Sequence, residues 1–586
     1  MKSTKMTKWL IGLCCVAGLS SCDITLYPED TLTPGSYFRN ELDLELFTNS
    51  FYTSLPASEI YEDEADIIIN MIPGDEVTGQ RVVPETGGGW TWTALRQINY
   101  FLENSYRCED KEALNHYNAL ARFFRAYFYY AKVRRFGDVP WYDVTVGSAD
   151  KNLLNKKRDS RMVVMDNVLA DLDFAIANLR QTKDVYRVTK WTALALKSRV
   201  MLFEGTFRKY HNLGDWERYL QESVKASQEL IDKGGYSLYG SYEQLFTKLS
   251  AKDTEKEVIL ARNYNYAAGL THGVQGYVNS PGAGSGGVTK RLVGAYLMKN
   301  GTRFSDQPGY ETMDFVQECK DRDPRLAATI RTQGFKVDGT ATAPNLKIAN
   351  TGYQLRKYYV GKKYESYSEV DLPIFRLGEV YLNHAEALAE LGTLTQSDLD
   401  KTINLLRSRA GVTGKLNMAN ANASPDSWLM SKQFGYPNLA ENAAVYENGT
   451  NLGVILEIRR ERTVELVMEG LRYWDIMRWK EGKVFEQPFL GMYIPAPGQY
   501  DLDQNGTVDY TFTTSTYTGS VAGEKMELGK SLSITDGDHG NLVLHKDFVR
   551  TWNETRDYLY PIPIKERILT NGALTQNPGW NDGLPF

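Results

Sequence analysis

The densest run of side chains that could bind a metal ion lies between residues 501 and 509. Oxygen-bearing residues fill positions 1, 3, 5 and 9 of this run, position 6 is glycine, and position 7 offers a backbone carbonyl; the candidate ligands are Asp501, Asp503, Asn505, Thr507 and Asp509. This spacing matches a calcium-binding loop, in which calcium would order the loop. Position 12 is Phe512 instead of glutamate, so a further ligand would have to come from elsewhere. The same residue types form hairpin turns without metal, and both interpretations stay open.

Other motifs that could bind a cofactor are weak. Residues 282–287 fit the dinucleotide pattern G-x-G-x-x-G, but Pro281 directly before them would interrupt the strand that this pattern requires. We interpret the run as a flexible loop beside a ligand site. The six histidines form no zinc motif. Asp536, Asp538 and His539 fall in a glycine-containing turn that is typical of a solvated loop.

The N-terminus carries an export signal. Three lysines precede a 13-residue apolar stretch, which suits a secretory signal and is too short to span a bilayer. The stretch ends in Leu-Ser-Ser-Cys, which resembles the bacterial lipobox. We therefore predict a signal peptide over residues 1–21, a lipid anchor on Cys22, and a tether over residues 22–40. An ordinary signal peptide that ends near a cysteine is the alternative.

Composition limits the partners and the source of stability. Loss of residues 1–21 removes three lysines and no acidic residues, so the net charge moves from −6 to −9. An acidic chain without a basic cluster argues against nucleic acid as a partner. Only Cys108 and Cys319 remain for a disulfide after processing, and the sequence leaves their pairing open. Stability must therefore come from a large core.

Helical periodicity is the main secondary-structure signal in the segments that would position the candidate site residues. From Leu114 to Ala131 the apolar residues recur at spacings of three and four, and further stripes cover residues 160–180, 191–202, 214–233, 377–388 and 399–410. Short helices in succession resemble tetratricopeptide-type pairs. We predict a mainly α fold, although the length of the processed chain, about 565 residues, would ordinarily suggest more than one domain. Long irregular loops and short β-hairpins are expected around residues 60–95, 262–372 and 487–548.

Four segments, in order along the chain, resemble the SusD/RagB family of nutrient-binding outer-membrane lipoproteins. Their starting points are Arg122-Phe-Phe-Arg-Ala-Tyr, Phe375-Arg-Leu-Gly-Glu-Val-Tyr, Ile458-Arg-Arg-Glu-Arg and Tyr560-Pro-Ile-Pro. The third segment continues to Trp479 with charged residues three apart, from Arg462 and Glu465 to Asp475 and Arg478. We interpret these charges as a partly buried network that clamps helices, with a solvated ion-pair ladder as the alternative.

The resemblance implies a single domain over residues 41–586, with a helical, tetratricopeptide-like fold and a surface site for an oligosaccharide. It also implies a lipid-anchored location on the outer membrane, with a SusC-like TonB-dependent transporter as partner that receives the glycan. Catalytic residues and required cofactors are not expected. Two alternatives remain, a lipid-anchored glycosidase with paired carboxylates and a protein–protein scaffold without sugar binding.

Glycan binding needs flat aromatic faces and planar polar groups. Trp90 and Trp92 follow three glycines, a poor place for a core tryptophan, while three tyrosines and three asparagines flank the glycine-rich run. The predicted ligand-binding residues are Trp90, Trp92, Asn263, Tyr264, Asn265, Tyr266, Tyr277 and Asn279. Each of these aromatic residues could equally pack inward.

Overall fold

The computed structural model describes residues 37–280 and 285–586, so Cys22, the predicted signal peptide and all but the last four residues of the predicted tether lie outside the described residues. The described chain has 44% helix and 10% strand, which confirms the mainly α prediction. Its helices are α1 (Glu41–Thr48), α2 (Asp75–Thr78), α3 (Thr93–Asn104), α4 (Lys111–Phe136), α5 (Lys151–Leu154), α6 (Arg161–Asn178), α7 (Lys190–Tyr210), α8 (Trp216–Lys233), α9 (Tyr242–Thr247), α10 (Val274–Asn279), α11 (Lys290–Ala295), α12 (Phe315–Glu318), α13 (Pro324–Thr329), α14 (Leu377–Glu390), α15 (Gln396–Lys401), α16 (Ile403–Ala410), α17 (Met418–Ala423), α18 (Pro437–Asn442), α19 (Leu452–Glu465), α20 (Arg472–Trp479) and α21 (Ile564–Leu569). None of these helices is long and apolar enough to cross a membrane.

The longest helices form the scaffold by packing against one another. Helix α4 contacts α3 and α6, α7 contacts α6 and α8, and α14 contacts α8 and α19. Asp110 begins α4 by accepting hydrogen bonds from the backbone amides of Glu112 and Ala113, and Gly137, with φ of +72°, ends it. The predicted helical stripes all fall on observed helices, because apolar residues at spacings of three and four bury one face.

Short strands join the loops that cover this scaffold. They are β1 (Ile68–Asn70), β2 (Val258–Arg262), β3 (Ser285–Val288), β4 (Lys336–Val337), β5 (Thr340–Ala341), β6 (Leu372–Arg376), β7 (Phe489–Ile494), β8 (Gly498–Tyr500), β9 (Tyr510–Thr513), β10 (Glu524–Glu527) and β11 (Gly540–Leu544). Strands pair as β1–β3, β2–β6, β4–β5 and β7–β11, and a three-stranded sheet has the order β10-β9-β8. Antiparallel pairing of β2 with β6 brings together the loop that follows residue 262 and the loop that precedes residue 372.

The glycine-rich run is partly a strand, which corrects its interpretation as a flexible loop. Its second half lies in β3, where a side chain on Gly286 would meet Leu544 Cδ2 at 2.7 Å and the carbonyl oxygen of Ile69 at 2.9 Å. Glycine is therefore needed for close packing of β3 against β1. Residues 281–284 lie outside the described residues.

The charges of the third motif form a buried network, as predicted, but not through the predicted pairs. The chain leaves the helix between Glu465 and Arg472, so of the expected three-residue spacings only Asp475–Arg478 makes an ion pair, at 2.9 Å. Glu465 instead binds Arg325 at 2.8 Å and Arg376 at 2.7 Å. Burial opposes ionisation, but the surrounding arginines lower the pKa of Glu465 below its ordinary value. The network therefore ties α13, β6 and α19 together.

The two cysteines of the described chain remain unpaired. Cys108 is buried and Cys319 is half-buried, and both are free thiols. A continuous cluster of buried apolar side chains extends from Phe38 to Leu574 and stabilises the fold without a cross-link between them.

Candidate ligand-binding surface

Three tyrosines form a partly exposed aromatic surface, here called the tyrosine platform (Tyr266, Tyr364 and Tyr367). The rings of Tyr266 and Tyr367 stack with centroids 4.3 Å apart and planes 23° apart, and Tyr364 stands edge-on to Tyr367 at 6.3 Å. Tyr266 is 56% exposed and the other two are half-buried. Within the described part of the chain, none of the three hydroxyl groups makes a hydrogen bond. The platform thus offers flat apolar faces with free polar edges.

The loops that carry the platform are held together by backbone pairing. Beyond β2 and β6 the pairing continues at His272 and Ser368, whose amides and carbonyls exchange hydrogen bonds of 3.0 and 2.8 Å. The amide of Tyr266 donates to Glu369 Oε2 at 3.0 Å. Tyr266 and Tyr367, about a hundred residues apart in the sequence, are therefore brought face to face by the sheet.

Asp371 anchors the loop that follows β2 and carries Tyr266. This buried carboxylate accepts hydrogen bonds from the amide of Tyr264 at 2.7 Å and from Asn263 Nδ2 at 3.2 Å. Its other oxygen accepts from the Tyr186 hydroxyl at 2.6 Å and the Ala251 amide at 2.8 Å. Burial raises the pKa of Asp371, and these donors oppose that shift. The carboxylate fixes the path of the chain as it leaves β2.

The predicted asparagines lie near the platform, and each makes at least one side-chain hydrogen bond within the protein. Asn265 Oδ1 accepts from the amide of Ala268 at 3.1 Å, and Asn263 donates to Asp371. Asn279 lies between Glu365 and Arg331 and hydrogen-bonds both. These residues shape the loops.

Of the predicted tyrosines, Tyr266 faces solvent, while the other two turn inward. Tyr277 is 4% exposed, and its hydroxyl donates to Asn70 Oδ1 at 2.9 Å. Tyr264 is half-buried, with its ring 4.3 Å from that of His272. Sequence reasoning missed Tyr364 and Tyr367, although the richness in tyrosine of residues 332–372 was the signal that could have identified them.

Trp90 is a core residue, contrary to the argument from its glycine neighbours. It is 5% exposed, and its ring packs edge-on against Phe136 at 4.9 Å. The preceding glycines have positive φ and fold back onto α4, where Arg135 Nε donates to the carbonyl oxygen of Gly88 at 2.9 Å. The glycines thus allow the close approach that buries the indole.

Trp92 is half-buried and lines a cavity of about 480 Å³ between α3, residues 140–156 and α21. Its ring contacts that of Tyr142 edge-on at 5.7 Å. No residue between 157 and 565 lines this cavity, so the two predicted tryptophans and the tyrosine platform belong to different sites.

The predicted calcium loop is the turn between β8 and β9. Carboxylate oxygens of Asp501, Asp503 and Asp509 lie within 4.8 Å of one another. Among the described residues, this is the only cluster of three or more acidic, histidine or cysteine side chains close enough to hold one metal ion. Burial and the neighbouring carboxylates raise the pKa of Asp509. Several backbone amides donate into the loop, including that of Gly506 to Asp501 Oδ2 at 2.8 Å. Phe512 is buried in β9, and calcium binding stays a prediction.

The remaining charged turn is exposed, as expected. His539 Nδ1 lies 2.8 Å from Asp538 Oδ1, with both side chains at least half exposed. The pKa of His539 is raised, chiefly by this hydrogen bond.

Comparison with known proteins agrees with this architecture. The model of the SusD family matches residues 243–580, and a second model, described as "Starch-binding associating with outer membrane", matches residues 84–202. The SusD-like protein P2 of Formosa agariphila is 24% identical over 521 residues, covering 82% of this chain and 92% of the relative. The starch-binding protein SusD of Bacteroides thetaiotaomicron is 23% identical over 374 residues, covering 57% of this chain and 65% of that protein.

A solved structure shares the fold. The crystal structure of a SusD-like carbohydrate-binding protein from Bacteroides fragilis superposes with a TM-score of 0.66 at 22% identity, covering 91% of this chain and 98% of that one. The family match covers more than half of the sequence and the structural match nearly all of it. The chain therefore belongs to the SusD family.

Proposed function

We propose that this protein binds a polysaccharide on the tyrosine platform and does not cleave it. The observation that carries the proposal is the partly exposed stack of Tyr266 on Tyr367, whose hydroxyls have no partner in the described chain. Sugar rings present apolar C–H faces that pack on such rings, and their hydroxyls can bond the free phenol groups. Aromatic side chains of this size bury a large apolar area and keep a polar edge, which suits such an interface.

The carboxylates around the platform support binding without hydrolysis. A glycosidase needs two carboxyl groups free to act on the glycosidic bond. Here Glu365 accepts from Tyr359 at 3.1 Å and from Asn279, Glu369 accepts from the backbone, and Asp371 is buried among four donors. Each of these groups is committed to holding a loop.

The family and the N-terminal sequence support a proposed location and partner. We infer that Cys22 is acylated and anchors the protein to the outer membrane, and that bound glycan passes to a SusC-like TonB-dependent transporter. Co-purification of such a transporter with the tagged, lipidated protein is the expected result. A Cys22→Ala variant that still fractionates with the outer membrane would contradict the anchor.

Affinity electrophoresis tests the binding claim. Native gels that contain starch, laminarin, xylan, pectin or mannan should retard the soluble chain that begins at Asp23 in at least one case. The double variant Tyr266→Ala/Tyr367→Ala should migrate as in a gel without polysaccharide. Tyr106→Ala removes a tyrosine that is 64% exposed elsewhere and serves as the matched control. Equal retardation of the double variant and the wild type would overturn the placement, and absence of retardation in every gel would overturn the function.

A further inference from the structure

The cavity beside Trp92 has the size and lining of a second binding site. Its volume of about 480 Å³ falls within the range of small-molecule sites. It is formed by α3, the segment that follows Pro140, and α21 near the C-terminus. Since no platform residue lines it, the cavity is a separate site.

The walls of the cavity are mostly apolar. Trp92 and Tyr142 supply aromatic surface, and Val146, Leu154 and Leu574 supply aliphatic surface. A sugar ring could lie on the aromatic surface, while the aliphatic side chains would receive a methyl group.

Two charged groups at the cavity are free to bind a ligand. Glu566 is half-buried, and its carboxylate has neither a hydrogen bond nor an ion pair with any described residue. Burial raises the pKa of Glu566. Arg96 is exposed, and its guanidinium makes only one long contact, 3.5 Å from Nε to the carbonyl oxygen of Val146.

Two further polar side chains of the lining, Lys156 and Asn99, are already hydrogen-bonded within the protein. Lys156 pairs with Asp159 at 2.7 Å and donates to the carbonyl oxygen of Trp141 at 2.7 Å. Asn99 donates both amide hydrogens to backbone carbonyls, each at 3.0 Å. Glu566 and Arg96 are therefore the charged groups of the lining that remain free for a ligand, on a mostly apolar surface.

We propose that this cavity binds a single sugar residue that carries an apolar substituent, such as a 6-deoxy methyl or an acetamido methyl group. Glu566 accepts and Arg96 donates hydrogen bonds to ring hydroxyls, Trp92 packs against the ring, and the aliphatic wall takes the substituent. A fully hydroxylated sugar would place a polar group against that wall and leave it without a partner. The ligand class rests on the proposed function, but the two sites share no residue.

Calorimetric titration with matched sugars tests the proposal. The probes are L-fucose against L-galactose, L-rhamnose against L-mannose, and N-acetyl-D-glucosamine against D-glucose. At least one substituted sugar should bind, about fourfold tighter than its parent for each buried methyl group. The Glu566→Gln variant, which keeps the shape of the side chain, should weaken that binding about tenfold because it loses a charged acceptor.

Each contrary result has a distinct meaning. Absence of binding by all six sugars overturns the site, and equal binding of a substituted sugar and its parent overturns the role of the apolar wall. The double variant Tyr266→Ala/Tyr367→Ala should bind the sugar like the wild type. Loss of sugar binding in that variant, with Glu566→Gln unaffected, would place the sugar on the platform and overturn the cavity site. Failure of the proposed function appears separately, as absence of polysaccharide retardation.

Discussion

The backbone amide of Tyr264 donates a 2.7 Å hydrogen bond to the buried carboxylate of Asp371, which links the chain leaving β2 to the residue just before β6. Both carboxylate oxygens accept hydrogen bonds from donors. In an Asp371→Asn variant, the amide nitrogen would face a donor in place of one of these oxygens and could not accept its hydrogen bond. We expect a loss of about 1–3 kcal/mol in the free energy of unfolding by urea. Polysaccharide retardation should also weaken, because the platform loop loses its anchor.

Glu369→Gln is the matched control for that variant. Its amide oxygen can still accept from the amide of Tyr266, so stability and retardation should stay close to those of the wild type. An Asp371→Asn protein with unchanged stability and affinity would show that the anchor has no role in the site.

Replacing each of the two predicted tryptophans should lower the free energy of unfolding by a different amount. Trp90 is enclosed against Phe136, so Trp90→Ala should lower the free energy of unfolding by about 3–5 kcal/mol. Trp92 is half-buried at the cavity, so Trp92→Ala should cost less. Urea denaturation followed by circular dichroism gives both values. A Trp90→Ala variant as stable as the wild type would contradict the packing described here.

Sequence patterns predicted the scaffold better than the site, for a physical reason. A helix that buries one face records that face as a local spacing, so stripes such as Leu114 to Ala131 could be recognised without the fold. The partners of Glu465 could not, because Arg325 and Arg376 come from distant elements. Likewise, the pairing of Tyr266 with Tyr367 depends on the β2–β6 contact, which no local spacing encodes.

Stability should depend on pH through Asp63. Burial, with the carboxylate of Asp475 adding to it, raises the pKa of Asp63 from 3.8 to about 7. Between these values the folded protein holds a proton that the unfolded chain has released, so stability falls as pH rises from about 4 to 7. Asp63→Asn should therefore be more stable than the wild type at pH 8 and similar at pH 4, measured as the melting temperature.

The exposed Asp253 provides the control for this pH dependence. Asp253→Asn should follow the wild-type profile at every pH. If Asp63→Asn follows it too, ionisation of Asp63 does not limit stability at neutral pH.

Calcium should stabilise the protein if the turn between β8 and β9 binds it. Three carboxylates within 4.8 Å repel one another, and a divalent cation would relieve that repulsion. At free calcium about a hundred times its Kd, the gain in stability is about 2.7 kcal/mol. Differential scanning calorimetry should show a higher melting temperature with calcium and no change in Asp501→Asn. Identical melting of the wild type with calcium and with chelator would rule out a stabilising ion.

Hydroxyl-radical footprinting with mass spectrometry tests the central claim most directly, because it reports on the unaltered protein. The measurement compares oxidation of individual tyrosines with and without a polysaccharide that retards the protein in gels. We expect protection of Tyr266 and Tyr367, unchanged oxidation of Tyr106, and polysaccharide of unchanged length afterwards. Full oxidation of Tyr266 and Tyr367 in the complex, or a shortened polysaccharide, would contradict binding at the tyrosine platform without cleavage.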